Sequence, residues 1–288
     1  FPIVLGVSVN QIYFAINRIF ASGLAEGSIS ALNYANKLMQ LPVGIFVAAV
    51  ASAIYPALSA FALKEDKKEL NFSLQKGIGL VALIAVPAMV GLMILRQPIV
   101  SLVYERGAFG AEDTIITAAA LLYFCVGLVP YALNMVLTRA FYSIGNTKAP
   151  LLFGMFSIVF NVLFSVVLLK PMGHCGLALA NSLAALINTG LLYFYWQKNQ
   201  KAWDGKPLWK NIAKIAVASI IMAVVVELIK DFGGNTFGTG SMGVLLTSGI
   251  GILLGVVVYM LAAFLLKVDY LKQIKEMFSK NSTENTTL

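Results

Sequence analysis

Ile78-Gly79-Leu80-Val81-Ala82-Leu83-Ile84-Ala85-Val86-Pro87-Ala88-Met89-Val90-Gly91-Leu92-Met93-Ile94-Leu95 carries no charged or amide side chain, and it lies between Lys76 and Arg96. A helix that crosses a bilayer needs about 20 mostly apolar residues, at ~1.5 Å rise each across ~30 Å of hydrocarbon. The run fits one crossing. A membrane strand would alternate apolar and polar residues with period two. No such alternation exists here, so the strand reading fails.

Working outward, similar runs recur along the chain. Eight spanning helices are predicted, at about 2–21, 29–61, 71–95, 113–143, 148–169, 175–197, 209–230 and 241–267. Several exceed the minimum length, which implies tilt or extension beyond the bilayer. The predicted breaks are Ser22-Gly23, the charged run Lys64-Glu65-Asp66-Lys67-Lys68-Glu69, Arg106-Gly107-Ala108-Phe109-Gly110, Gly145-Asn146-Thr147, Lys170-Pro171-Met172-Gly173, Asp204-Gly205-Lys206-Pro207 and Asp231-Phe232-Gly233-Gly234. The mixed segment 94–109 is expected to lie partly along the interface. The fold class is therefore all-α, a polytopic membrane helical bundle.

Composition agrees. The chain has 288 residues, of which 59% are hydrophobic and 12% charged. A soluble domain carries about 25% charged residues, so the bilayer is the expected surroundings. The formal charge of +8 comes mainly from one side of the bundle. With eight helices, Lys64, Lys67, Lys68, Lys76, Arg139, Lys148 and the lysines from Lys198 to Lys214 and from Lys267 to Lys280 share a side. Only Arg96, Arg106, Lys170 and Lys230 fall opposite. The basic side is the cytoplasmic one, which places both chain ends in the cytoplasm. Basic loops facing anionic lipid account for the charge. Nucleic acid is not an expected partner, since no soluble basic domain exists to bind it.

Catalysis is not expected. Asp66, Asp113, Asp204, Asp231 and Asp269 are scattered through the predicted loops, and no nucleophile–base pair is visible. Cys125 and Cys175 sit in or beside apolar segments as packing residues, and His174 has no partner ligand. No cofactor or metal centre is expected. The opening Phe1-Pro2-Ile3-Val4-Leu5-Gly6 has no basic n-region and no cleavage site, so it does not read as a signal peptide. It is expected to lie inside a longer protein. Asn281-Ser282-Thr283 and Asn285-Thr286-Thr287 match a glycosylation pattern that means little on the cytoplasmic side.

Polar residues inside the predicted helices point to function, because intramembrane charge costs about 2.5–3.5 kcal/mol on insertion scales. Lys37 lies about eight residues into the second helix, roughly 12 Å deep by helix rise. Asn33, Lys37 and Gln40 recur at helical spacing with Asn36 beside them, forming a polar stripe. Pro42 and Gly44 follow and can bend the helix. Two readings are open, a polar cavity or a snorkelling lysine; the stripe favours the cavity. For Arg18, near the external end of the first helix, both readings stand equally. Ser157, Asn161 and Ser165 make another line, as do Tyr131, Asn134 and Thr138, and Asn181 with Asn188. Each line alone suits interhelical hydrogen bonding. Together they suggest helices around a hydrated cleft that takes an anionic head group.

Several local blocks also carry a resemblance. They are Asn17-Arg18-Ile19-Phe20-Ala21-Ser22, Asn33-Tyr34-Ala35-Asn36-Lys37-Leu38-Met39-Gln40-Leu41-Pro42, Tyr55-Pro56-Ala57-Leu58-Ser59, Glu105-Arg106-Gly107-Ala108-Phe109, Arg139-Ala140-Phe141-Tyr142-Ser143-Ile144-Gly145-Asn146-Thr147-Lys148 and Gly176-Leu177-Ala178-Leu179-Ala180-Asn181-Ser182. In order and spacing they resemble the MurJ/MviN family of lipid II flippases, part of the multidrug/oligosaccharidyl-lipid/polysaccharide exporter superfamily. The resemblance implies the second lobe plus two extra helices of a fourteen-helix flippase. Residues 1–200 would form the C-terminal six-helix transporter lobe, 201–267 two additional transmembrane helices, and 268–288 a cytoplasmic tail. The implied partners are the undecaprenyl-pyrophosphate-linked peptidoglycan precursor, the lipid bilayer of the bacterial cytoplasmic membrane and a missing N-terminal lobe.

The resemblance also implies residue roles. Lys37 matches a cavity arginine of the family's eighth helix, so Lys37, Arg18, Asn33, Asn36 and Gln40 become substrate-binding candidates. Some members hold sodium. Asn17, Asn161, Ser165 and Asn181 match that site, without its acids, as a degenerate version expected to hold sodium weakly. The alternatives are a polysaccharide-repeat or multidrug exporter, or a non-transporting remnant or half of a split protein.

Overall fold

The computed structural model describes residues 19–200, 203–237 and 240–271. Every regular element among them is helical: α1 (Ser28–Pro42), a π-helical turn (Val43–Val47), α2 (Ala48–Leu63), α3 (Lys67–Ile94), α4 (Arg96–Tyr104), α5 (Ala111–Val126), α6 (Leu128–Ser143), α7 (Lys148–Met172), α8 (His174–Asn199), α9 (Lys206–Phe237) and α10 (Ser241–Leu265). Six stretches are long and apolar enough to cross a membrane, the first being α1 and α2 joined through the π-turn as Ser28–Leu63. The pair α5 and α6, bent by 44°, makes a seventh. The predicted helix at 2–21 falls, apart from its last residues, outside the described residues, so the described spans number six or seven rather than eight.

The boundaries follow local chemistry. The charged run after α2 turns the chain. Asp66 then caps α3, its carboxylate accepting from the Lys68 and Glu69 amides at 3.2 and 3.1 Å. Pro42 cannot donate a helix bond, and the widened turn follows it directly, so the bend expected at Pro42 and Gly44 is a π-turn inside a continuous span. The segment after α3 forms a nine-residue helix, α4, too short to cross.

The 44° break in the α5–α6 span sits at Gly127. Breaking a helix in a membrane leaves carbonyls that no water can satisfy, so neighbouring Ser and Thr side chains take over. Helix α8 supplies both. Ser182 Oγ donates to the Tyr123 carbonyl at 2.6 Å, and Thr189 Oγ1 donates to the Pro130 carbonyl at 2.7 Å.

One predicted break is wrong. Helix α9 runs through Asp231-Phe232-Gly233-Gly234 to Phe237. Gly233 is a packing residue here: a Cβ on it would lie 2.5 Å from Thr247 of α10. Small residues let membrane helices approach closely, and that use of glycine looks like a turn in sequence. Asp231 therefore lies in a helix rather than a loop, and Asp113 and Asp269 are helical as well. Asp113 accepts from the Gly110 amide at the start of α5.

Helix α3 is the hub. It packs against α1, α2, α5, α6 and α9, and half of its most apolar stretch is buried. Two of its polar groups are tied inward: Asn71 accepts from the buried Trp196 indole at 3.0 Å, and the Leu83 backbone carbonyl accepts from Tyr259 at 2.7 Å. The α7–α8 hairpin docks through α8 on α5 and α6, and the α9–α10 hairpin docks on α3 and α4. Outward faces are apolar. Val167 on α7 and Phe264 on α10 are 67% and 74% exposed, as suits side chains facing lipid.

Candidate functional site

Helices α2, α6, α7 and α8 line a half-open cavity of about 460 Å³. Helix α6 gives it Tyr131, Asn134, Thr138 and Tyr142, one face at three- and four-residue spacing, with Arg139 beside that line. Helix α8 gives Asn181 and Asn188, α7 gives Ser157, and α2 gives Tyr55. Gly154, Ala184 and Ala185 leave the space open. Two of the polar lines read from the sequence, Tyr131–Asn134–Thr138 and Asn181–Asn188, therefore meet at one chamber, with Ser157 alone from a third.

The lining is only partly satisfied. Ser157 Oγ donates to the Ala184 carbonyl at 3.0 Å, and Thr138 Oγ1 donates to Asn134 Oδ1 at 3.4 Å. Asn134 Nδ2 and Asn188 Oδ1 are buried without a hydrogen-bond partner among the described residues. The Arg139 guanidinium carbon lies 6.0 Å from the centre of the Tyr55 ring. Among the described residues no carboxylate lines the cavity.

The sodium candidates are divided. Asn161 and Ser165 are fully buried on α7, one and two turns beyond Ser157, while Asn181 lines the cavity itself. Ser165 Oγ has no hydrogen-bond partner among the described residues. Asn17 lies outside the described residues. The donors at hand are neutral oxygens, which suit a hard monovalent cation in type but supply no charge to offset its desolvation. Among the described residues no group of three or more His, Cys, Asp or Glu could hold a metal.

The Lys37 stripe stands apart from the cavity. Lys37 is exposed on α1, opposite the buried Ala35, Leu38 and Met39. Asn33, Asn36 and Gln40 are half-buried beside it, and Gln40 Nε2 donates to Asn36 Oδ1 at 3.1 Å. None of the four lines the chamber. Arg18 lies outside the described residues.

Two functional candidates were missed in the sequence. Arg139 was counted among the cytoplasmic loop cations, and Tyr55 was noted only as part of a family block. The available signal was register: Arg139 follows Thr138 directly on the polar face of α6.

Comparisons with known proteins give a consistent picture. The family model described as Lipid II flippase MurJ matches residues 1–248. A Rickettsia prowazekii protein named "Probable lipid II flippase MurJ" is 32% identical over 93% of this chain and 53% of its own length. A solved structure titled "Lipid II flippase MurJ, inward closed conformation" superposes with a TM-score of 0.76 at 30% identity, covering 91% of this chain and 52% of that one. An outward-facing multidrug resistance MATE family transporter of the MOP superfamily aligns over 91% of this chain and 62% of its own, with a TM-score of 0.59 at 16% identity. That last likeness is one of fold. The chain spans about half the length of the curated relatives it matches.

Proposed function

Because this chain belongs to the MurJ lipid II flippase family, we propose that it forms the C-terminal part of a flippase for the undecaprenyl-pyrophosphate-linked peptidoglycan precursor. The observation that carries this reading is the match to the MurJ structure at 30% identity, twice as close in sequence as the MATE likeness at 16%. Flipping is transport, and no catalytic role is assigned.

In this reading the protein works by alternating access. Two lobes rock about a site near the bilayer midplane and expose it first to one side, then to the other. Residues 1–200 are one lobe, 201–267 are two additional spanning helices, and 268–288 are a tail. The opposing lobe comes from the rest of the same chain or from a separate one. Eight spans and the lysine asymmetry put both ends of this segment, and Asp204, in the cytoplasm of a bacterium.

Lys37 is the substrate-facing cation. It projects from α1 away from the described bundle, where a facing lobe would meet it. Asn33, Asn36 and Gln40 flank it as hydrogen-bonding groups for the pyrophosphate and sugar-peptide head, and Arg18 adds a second cation. An ammonium grips phosphate as a point charge, without the two-bond fork of a guanidinium.

The test is complementation in cells depleted of their flippase. This chain expressed with its N-terminal lobe is expected to restore peptidoglycan synthesis, and the chain alone is not. Failure of the two lobes together, at normal membrane abundance, overturns the assignment.

A further inference from the structure

We propose that the cavity between α2, α6, α7 and α8 is a second anion site, with Arg139 as the residue that binds a phosphate-type oxyanion. The site is separate from Lys37. Tyr55, which faces Arg139, lies eighteen residues beyond Lys37 on the same span, about 27 Å along the axis by helix rise. The inference does not depend on the lipid assigned above.

Four observations meet here. Arg139 is half-buried, and among the described residues it makes no ion pair or hydrogen bond; its guanidinium lies 6.0 Å from the Tyr55 ring centre. A half-buried guanidinium with no carboxylate beside it keeps its charge free for an anion. Among the described residues the chamber around it has no acidic side chain to repel an anion. Tyr131, Asn134, Thr138 and Tyr142 give the same space polar walls. The Tyr55 face holds the guanidinium from one side by cation–π attraction and leaves its N–H fork available for two parallel bonds to phosphate oxygens.

The lining narrows the ligand class. Ser157, Asn181 and Asn188 add polar groups to the wall, so a diphosphate or a phosphate ester suits the space better than an apolar anion does. At about 460 Å³ the chamber can hold more than the phosphoryl group alone. The source is either a lipid head group or a free diphosphate, and the two share this chemistry.

Binding is measured on full-length protein carrying Lys37→Ala, which silences the α1 cation, by calorimetric titration with inorganic pyrophosphate and separately with farnesyl diphosphate. Saturable binding is expected. Arg139→Gln in this background is expected to weaken it by at least about tenfold, as removal of a two-bond charged pair requires. Tyr55→Glu is the second variant. It keeps the arginine but sets a carboxylate against it, and is expected to weaken binding equally at an unchanged melting temperature. Tighter binding of farnesyl diphosphate assigns a lipid head group, and equal binding assigns a free diphosphate; either supports the site. Absence of saturable binding of both probes in the Lys37→Ala protein overturns the proposal. So does affinity that survives both Arg139→Gln and Tyr55→Glu. An effect of Lys37→Ala on the wild-type titration bears on the flippase reading alone, so the two can fail independently.

Discussion

Gly127 and Ser182 meet so closely that a Cβ built on the glycine would sit 2.8 Å from the Ser182 Cα. The same serine donates to the Tyr123 carbonyl at 2.6 Å. One contact therefore sets both the bend of the α5–α6 span and the seat of α8 against it. Gly127→Ala forces the helices apart and is expected to cost about 1–3 kcal/mol, as overpacking does. Ser182→Ala removes a hydrogen bond within the membrane and is expected to cost about 0.6–1.7 kcal/mol. Unfolding of the purified variants in mixed micelles compares them. Equal stability of Gly127→Ala and wild type would show that the bend does not depend on this contact.

The end of α10 is fastened by a clamp. Asn211 Nδ2 donates to Asp269 Oδ2 at 3.0 Å, and the Asp269 amide donates back to Asn211 Oδ1 at 3.2 Å. Tyr270, next along, lies over Gly79 of α3 so closely that a Cβ on the glycine would fall 2.0 Å from its ring. Burial, with the neighbouring Asp269 charge, pushes the Tyr270 phenol up to about 12. A raised acid favours its neutral form in the fold, so this stabilisation is full below the ordinary tyrosine value near 10. It is lost as pH rises toward 12. Melting temperature measured across that window is expected to fall less steeply for Tyr270→Phe than for wild type. Parallel curves would mean that the phenol titrates as freely in the fold as out of it.

What could be read in the sequence was what depends on local spacing. Ile78–Leu95 announced a span because its length matches a bilayer, and the polar stripe of α1 was visible because Asn36 and Gln40 sit at i and i+4, where they bond. The lines Tyr131–Asn134–Thr138, Ser157–Asn161–Ser165 and Asn181–Asn188 were each legible. Which of them share a chamber was not, since that depends on how α6, α7 and α8 cross. Asn161 and Ser165 turned into the packed interior while Ser157 met the cavity, although all three share one face of α7. Gly233 misled because a glycine that admits a neighbouring helix has the same sequence signature as one that ends its own. Arg139 escaped because a cation one turn from a helix end counts as a loop charge in any tally of sidedness.

Sodium is expected to matter little. Asn161, Ser165 and Asn181 are neutral, Asn17 is neutral in sequence, and a ligand stabilises by RT ln(1 + [L]/Kd), which is small when Kd is high. Melting curves in sodium and in potassium at equal ionic strength should coincide. A saturable upward shift specific to sodium would show that the buried oxygens of α7 suffice without an acid.

Lys37 separates the transport reading from a bland one most sharply. It is exposed on α1, its neighbours Asn33, Asn36 and Gln40 are polar, and the opposite face of the helix is packed into the bundle. If that face meets the pyrophosphate of a lipid-linked precursor, Lys37→Ala should abolish transport in the complete protein while leaving its abundance unchanged. Lys37→Arg should match or exceed wild type, because a guanidinium can hold phosphate oxygens through two bonds. A lysine that merely snorkels to the interface predicts the reverse. Alanine would then relieve an insertion cost of about 2.5–3.5 kcal/mol and leave transport intact. Complementation by each variant together with its N-terminal lobe, with membrane abundance followed in parallel, distinguishes the two. Full activity of Lys37→Ala at normal abundance would remove this residue from the substrate path and leave the α1 stripe without a function.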